Sequence, residues 1–152
     1  MDQSYRLVAR DKPGLLVAVM RVLAGGAHIS FEGNLSRCSG LLAVPGVFTE
    51  ETQALRRQTL YPVQEFLVLP LESETIRPIL AQVLPRRRLV RDIIHVQIER
   101  GARLAFGAYD SFHRDCVVCW PPITPEFLEQ LRLRGVLRSW ELAADKAHRR
   151  ND

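Results

Sequence analysis

The chain has 152 residues, a length that favours one compact domain or two very small ones. Apolar residues make up 47% and charged residues 25%, as in ordinary globular proteins, and no apolar run reaches the roughly 20 residues of a membrane-spanning helix. The N-terminus carries acidic Asp2 and no signal-peptide pattern, so we expect a cytoplasmic protein without membrane contact. Three cysteines, an odd number, argue against a disulfide framework.

The net charge of +4 comes almost entirely from arginine, with 19 arginines against 2 lysines. The densest group is Arg86, Arg87 and Arg88 with Arg91, between a predicted helix and a predicted strand, where phosphate or an acidic partner would have access. No aromatic residues alternate with these arginines, so a base-stacking nucleic-acid surface is not supported. We therefore expect solvated surface arginines and no nucleic-acid partner.

Residues 4–35 have the pattern of a strand, a turn, a helix, a break and a second strand. Apolar residues alternate from Tyr5 to Ala9, which predicts a strand with one buried face. Asp11 is suited to cap a helix, and Pro13 fits a first helical turn because no N–H partner is lost there. The Gly-Gly pair at 25–26 predicts the end of that helix.

The same residues carry a resemblance to a known family. Arg10-Asp-Lys-Pro-Gly-Leu-Leu, a helix that ends in Leu23-Ala-Gly-Gly, and then Ala27-His-Ile-Ser resemble the opening of an ACT domain. Such domains typically show Asp-x-Pro-Gly-hydrophobic, a short helix, and Gly-Ile-Asn-Ile at the start of the second strand. The resemblance covers about residues 4–35 and weakens towards residue 100. It implies an α+β, ferredoxin-like βαββαβ sandwich with both helices on one face of the sheet.

ACT domains bind small effectors, often amino acids, near this turn, and commonly do so at a dimer interface. The resemblance therefore implies a non-catalytic regulatory protein without a cofactor, which binds an amino acid or other small anionic or zwitterionic ligand. It also implies a homodimer or an enzyme partner. The implied ligand-binding residues are Asp11, Lys12, Gly14, Leu15 and His28, where His28 stands at a position that is often Asn. N–H groups at the helix start favour a carboxylate, whereas Asp11 would have to bind the ligand's ammonium group.

Residues 36–62 fit the family pattern less well. Residues 41–44 are apolar, and residues 49–58 look helical, with a threonine suited to the N-cap and two glutamates in the first turn. One interpretation makes residues 36–62 an insertion between the second and third strands. The other makes the two segments the third strand and the second helix. We favour the insertion, because residues 65–71 form a strongly apolar strand and a helical pattern follows at 73–84.

The remaining chain predicts further strands and one more helix. A strand at 90–99 completes an ACT-like domain over residues 1–100, and residues 101–142 predict a β/α extension. The extension contains strands at 104–108 and 116–119, a helix that begins after Thr124, and a last strand at 136–142. The extension would alternatively pack with residues 64–100 as a second ferredoxin-like unit. Residues 143–152 predict a disordered tail.

A histidine and cysteine segment offers a different function. The spacing His113-x-x-Cys116-x-x-Cys119 has zinc-ligand residue types, but structural zinc sites usually need a second cysteine pair. In a strand, residues three apart face opposite sides, so buried apolar cysteines are the simpler interpretation and no metal is assigned.

A polar sheet face lies nearby in the predicted hairpin. His95, Gln97 and Glu99 alternate along one strand, and the turn at 100–102 would bring His95 close to Asp110. The simpler interpretation is a solvated sheet face. The alternative function is a small metal-dependent or thiol enzyme that uses His95, Asp110, His113 and Cys116, although no local sequence signature of a thiol catalyst is present.

Overall fold

The computed structural model describes residues 3–143, which form a mixed α+β fold with one seven-stranded sheet. The strands are β1 (Tyr5–Ala9), β2 (Ala27–Gly33), β3 (Glu65–Leu71), β4 (Ile93–Arg100), β5 (Arg103–Ala108), β6 (Val117–Cys119) and β7 (Leu137–Leu142). The helices are α1 (Lys12–Leu23), α2 (Ser73–Val83) and α3 (Pro125–Leu133), with 3-10 segments at Ser36–Ala43 and Pro85–Arg87. The predicted disordered tail lies, apart from Ala143, outside the described residues.

The strand order is β3-β2-β4-β5-β6-β1-β7, and every neighbouring pair is antiparallel. Helix α2 connects β3 to β4 around β2, and α3 connects β6 to β7 around β1. Helix α1 carries the chain from β1 to β2 across the three strands between them. The α+β class is confirmed, whereas the ferredoxin-like sandwich is not, because the three strands predicted for the C-terminal extension belong to the same seven-stranded sheet, which continues through the β4–β5 hairpin.

Helix α1 lies between α2 and α3 in the helical layer. It packs on the sheet through one face that is entirely apolar. It begins after Asp11, as predicted: the Asp11 Oδ1 accepts a hydrogen bond of 2.9 Å from the Gly14 N–H. Its buried side chains are Leu15, Leu16, Val19, Met20 and Leu23. Complete burial of one such side chain stabilises the fold by about 1.5–3 kcal/mol. Gly25, with φ of 106°, follows the helix end in a conformation that favours glycine.

The predicted helix at 49–58 is wrong, and so is the alternative third strand at 41–44. Residues 41–43 belong to a 3-10 segment, and residues 52–59 form an extended loop, which we call the strap. The strap crosses the sheet face that carries no helix. Its backbone N–H groups bond to side chains of β2 and β4 instead of to carbonyls four residues earlier. Strand β3 lies where the insertion interpretation predicts it.

Candidate functional site

A groove of about 910 Å³ runs along the outer face of α1, on the side away from the sheet. Its walls are α2 on one side, and α3 with the following connection to β7 on the other. Its surface is mainly apolar, with Val17 and Ala18 of α1, Leu80 of α2, Leu84 directly after α2, and Phe127 of α3. A volume of this size lies within the range of small-molecule sites, and such sites combine an apolar lining with a few polar groups.

One end of the groove is built by contacts between the start of α1 and the start of β7. The backbone N–H groups of Arg10 and Asp11 both donate to the Val136 carbonyl, at 2.9 and 3.1 Å. These bonds hold Arg134 and Val136 beside Asp11, and these three residues line the groove. Helix α2 runs antiparallel to α1, so its C-terminal region, with Arg87, lies at the same end. We call this region the Asp11 end.

The charged side chains at the Asp11 end do not neutralise one another. Among the described residues, Asp11, Arg87 and Arg134 form no side-chain ion pair. The Asp11 Oδ1 is engaged by Gly14, which leaves its second carboxylate oxygen for another donor. One carboxylate and two guanidinium groups therefore face a shared apolar surface, and this arrangement suits a ligand that carries both signs of charge.

The structure brings together only part of the sequence-predicted site. Asp11 and Gly14 line the groove, whereas the Lys12 Nζ donates to the Ser111 carbonyl at 3.3 Å and Leu15 is completely buried in the core. The helix start also offers few donors to a carboxylate. Pro13 has no N–H, and the N–H groups of Gly14 and Leu15 both bond to Asp11. A ligand carboxylate at this end would need the arginines.

His28 lies far from the Asp11 end. It follows α1, and the 12 residues of that helix span about 18 Å. Its side chain faces the strap side of the sheet, where Nδ1 lies 3.6 Å from the Glu99 Oε1 and the ring meets the edge of Phe48. His28 therefore belongs to a different region from Asp11.

The strap buries the polar face of β2 and β4. Both carboxylate oxygens of Glu32 accept backbone hydrogen bonds, from Gln58 at 2.8 Å and Thr59 at 3.1 Å. The Gln97 side-chain oxygen accepts from the Arg56 N–H at 3.2 Å. The expectation of a solvated face at His95, Gln97 and Glu99 is wrong, because these residues are at most 7% exposed. The side chains of this face hold the strap in place.

The histidines and cysteines of the alternative enzyme do not form one centre. Within residues 3–143, no group of three or more His, Cys, Asp or Glu side chains is placed to hold a metal ion. The predicted proximity of His95 and Asp110 is seen, since the Asp110 N–H donates to the His95 Nδ1 at 3.2 Å. His113 is about half exposed and lies 3.9 Å from Asp115.

The cysteine thiols are not activated. The Cys116 Sγ donates to the Asp110 Oδ2 at 3.7 Å, and partial burial together with Asp110 and Asp115 raises the pKa of this thiol. Cys119 is completely buried, and burial raises its pKa to about 12. A nucleophile or metal ligand has to be a thiolate, and both environments favour the neutral thiol.

Comparisons with known proteins found no matching family model, no matching curated protein and no matching solved structure. Across the part of the chain that the structure describes, no helix is both long enough and apolar enough to cross a membrane. At the Asp11 end, Arg87, Arg134 and Val136 line the groove although the sequence did not predict them as site residues. Arg87 was visible as part of an arginine cluster, whereas Arg134 joins Asp11 only through the pairing of the first and last strands.

Proposed function

We propose that this protein is a non-catalytic, ACT-like regulatory protein that binds an α-amino acid, or a similar zwitterion, at the Asp11 end of the groove. The proposal depends on one carboxylate and two guanidinium groups that surround an apolar surface and that, within residues 3–143, form no ion pair. The resemblance of residues 4–35 to the start of an ACT domain supports the same location.

Each group at the Asp11 end has a role in the proposed complex. The ligand ammonium group donates to the second carboxylate oxygen of Asp11. The ligand carboxylate accepts from Arg134 or Arg87, since guanidinium and carboxylate match in a bidentate geometry. The ligand side chain lies on Val17 and Val136. Asp11 repels a carboxylate that has no ammonium group beside it, so a zwitterion should bind more tightly than a simple carboxylic acid.

The proposed regulatory role depends on three elements of the fold that a bound ligand would hold together. A molecule at the Asp11 end contacts α1, the end of α2 and the turn before β7 at once, and it favours the arrangement in which these three are close. Two halves of the sheet, β3-α2-β4 around β2 and β6-α3-β7 around β1, have the split β-α-β connection of ferredoxin-like folds.

A thermal-shift screen against the twenty common amino acids tests the proposal, with the matching α-keto acids as ligands that lack the ammonium group. A ligand at ~100 times its Kd adds about 2.7 kcal/mol to the free energy of unfolding, which raises the Tm by several degrees. We expect one or a few amino acids to stabilise the wild type and the Arg138→Gln control, whose exposed arginine lies on β7 outside the groove. Arg134→Gln should lose most of the shift. An equal shift in both variants, or no shift with any amino acid, would contradict the proposal.

A further inference from the structure

The groove continues along α1 beyond the Asp11 end. On α1 its lining follows the positions 14, 17, 18, 21 and 22, which share one helical face. From Gly14 to Arg21 this face extends about 10 Å along the helix axis. The zwitterion site occupies the Asp11 end, and the apolar surface continues beyond it over Ala18, Leu80 and Phe127.

Among the described residues, those that line the far end of the groove include two further arginines and no carboxylate. Arg21 comes from the last turn of α1 and Arg77 from the first half of α2, which lies beside it because the two helices are antiparallel. Both side chains are exposed, and within residues 3–143 neither forms an ion pair or a side-chain hydrogen bond. Two carboxylates lie nearby, Glu74 one helical turn before Arg77 and Glu72 at the N-cap of α2, but within residues 3–143 neither lines the groove or forms an ion pair with the two arginines. The part of the lining contributed by this end therefore presents two guanidinium groups to a ligand.

We infer that the ligand is elongated, with an amino-acid head at the Asp11 end, an apolar chain along the middle of the groove, and a distal anionic group between Arg21 and Arg77. This inference rests on the proposed function and names the class of ligand for it. The distal group is a carboxylate or a phosphate, since guanidinium groups bind both through paired N–H donors. The apolar lining between the two charged ends excludes a ligand that is polar along its whole length, because its polar groups would lose water without gaining partners there.

Isothermal titration calorimetry with matched ligands tests the inference. α-Aminosuberate and α-aminooctanoate have the same number of carbon atoms and the same amino-acid head, and they differ only in whether the distal end is a carboxylate or a methyl group. We expect α-aminosuberate, or its counterpart with a distal phosphonate, to bind about tenfold more tightly than α-aminooctanoate, as a charge-assisted contact at a partly exposed site should provide. The phosphonate shows which of the two anionic groups the far end prefers.

Variants at the two ends separate this inference from the proposed function. Arg21→Gln and Arg77→Gln should each remove most of the preference for the charged ligand and leave the affinity for α-aminooctanoate unchanged. Arg134→Gln should weaken both ligands, and the Arg138→Gln control should weaken neither. Both altered arginines at the far end are exposed, so these variants should retain the fold.

Each contrary result has a distinct meaning. Equal affinity for the charged and uncharged ligands, or a preference that survives both Arg21→Gln and Arg77→Gln, would overturn the distal site and leave the amino-acid site intact. Binding of short amino acids with no binding of either long ligand would overturn the elongated ligand. A failure of every amino acid, short or long, would overturn the proposed function together with this inference.

Discussion

Replacing Glu32 with glutamine should loosen the strap and reduce the free energy of unfolding. Glu32 is 1% exposed, and each of its carboxylate oxygens accepts one backbone hydrogen bond, from Gln58 or Thr59. Glutamine keeps one acceptor oxygen, but its NH2 group would face the other N–H. One buried donor then loses its partner, which costs about 1–3 kcal/mol. We therefore expect Glu32→Gln to lower the free energy of unfolding by about 1–3 kcal/mol.

Urea unfolding at neutral pH measures this loss, and amide hydrogen exchange locates it. The amides of Gln58 and Thr59 should lose protection in Glu32→Gln, whereas those of β1 should lose less. Glu50→Gln is the matched control, because Glu50 is exposed in the loop before the strap and such a change should alter stability by no more than about 0.5 kcal/mol. Equal stability of Glu32→Gln and wild type, with unchanged protection of the strap, would refute the anchoring role of this carboxylate.

Three further predictions concern the start of α1 and the cysteines. Gly14→Ala should lower the free energy of unfolding by about 1 kcal/mol in thermal melts, because the new Cβ collides with the Asp11 carboxylate that caps α1. In the folded protein a maleimide should label Cys116 first, with Cys38 and Cys119 labelled only after denaturation, as mass spectrometry would show. Burial raises the pKa of Cys119 to about 12, so the stability from its neutral thiol is complete below the unfolded value of about 8.5 and is lost as the pH rises towards 12. Stability measured across that range should therefore fall less steeply in Cys119→Ala.

Local signals in the sequence were sufficient for most helices and strands. The Asp11 carboxylate caps α1 through the Gly14 N–H three residues away, and at the other end the Ala24 N–H donates to the Met20 carbonyl four residues away. The same holds for α3, where Thr124 accepts from the Phe127 N–H at 3.2 Å as a threonine N-cap should. Capping depends on neighbours in the chain, so the sequence pattern predicts it well.

The strap could not be predicted in this way, because its partners lie far away in the sequence. Gln58 bonds to Glu32, 26 residues before it, and Arg56 bonds to Gln97, 41 residues after it. Thr49 and the two glutamates that follow it are residues typical of a helix start. The N–H groups of the strap nevertheless bond to buried side-chain acceptors of the sheet instead of to helix carbonyls. Tertiary contacts therefore override the local helical preference.

The candidate site could be predicted only in part, because some of its residues form a local motif and others are brought together by contacts distant in the sequence. Asp11 and Gly14 belong to one local motif, and both line the groove. His28 is at the other end of α1. Strands β1 and β2 point in the same direction, so α1 has to run from the C-terminal end of β1 back to the N-terminal end of β2. Arg134 reaches the site only through the pairing of β1 with β7, which no local pattern reports.

A titration followed by two-dimensional amide NMR tests the central claim most directly, with the best-stabilising amino acid as the ligand. The account predicts that the largest shift changes fall on residues 11–18, on Arg87 and on residues 134–136, at the Asp11 end of the groove. It also predicts that His28 and the strap remain unchanged, because they lie on the other face of the sheet. Shift changes centred on His28 or on the strap, or a spectrum that no amino acid alters, would contradict the account.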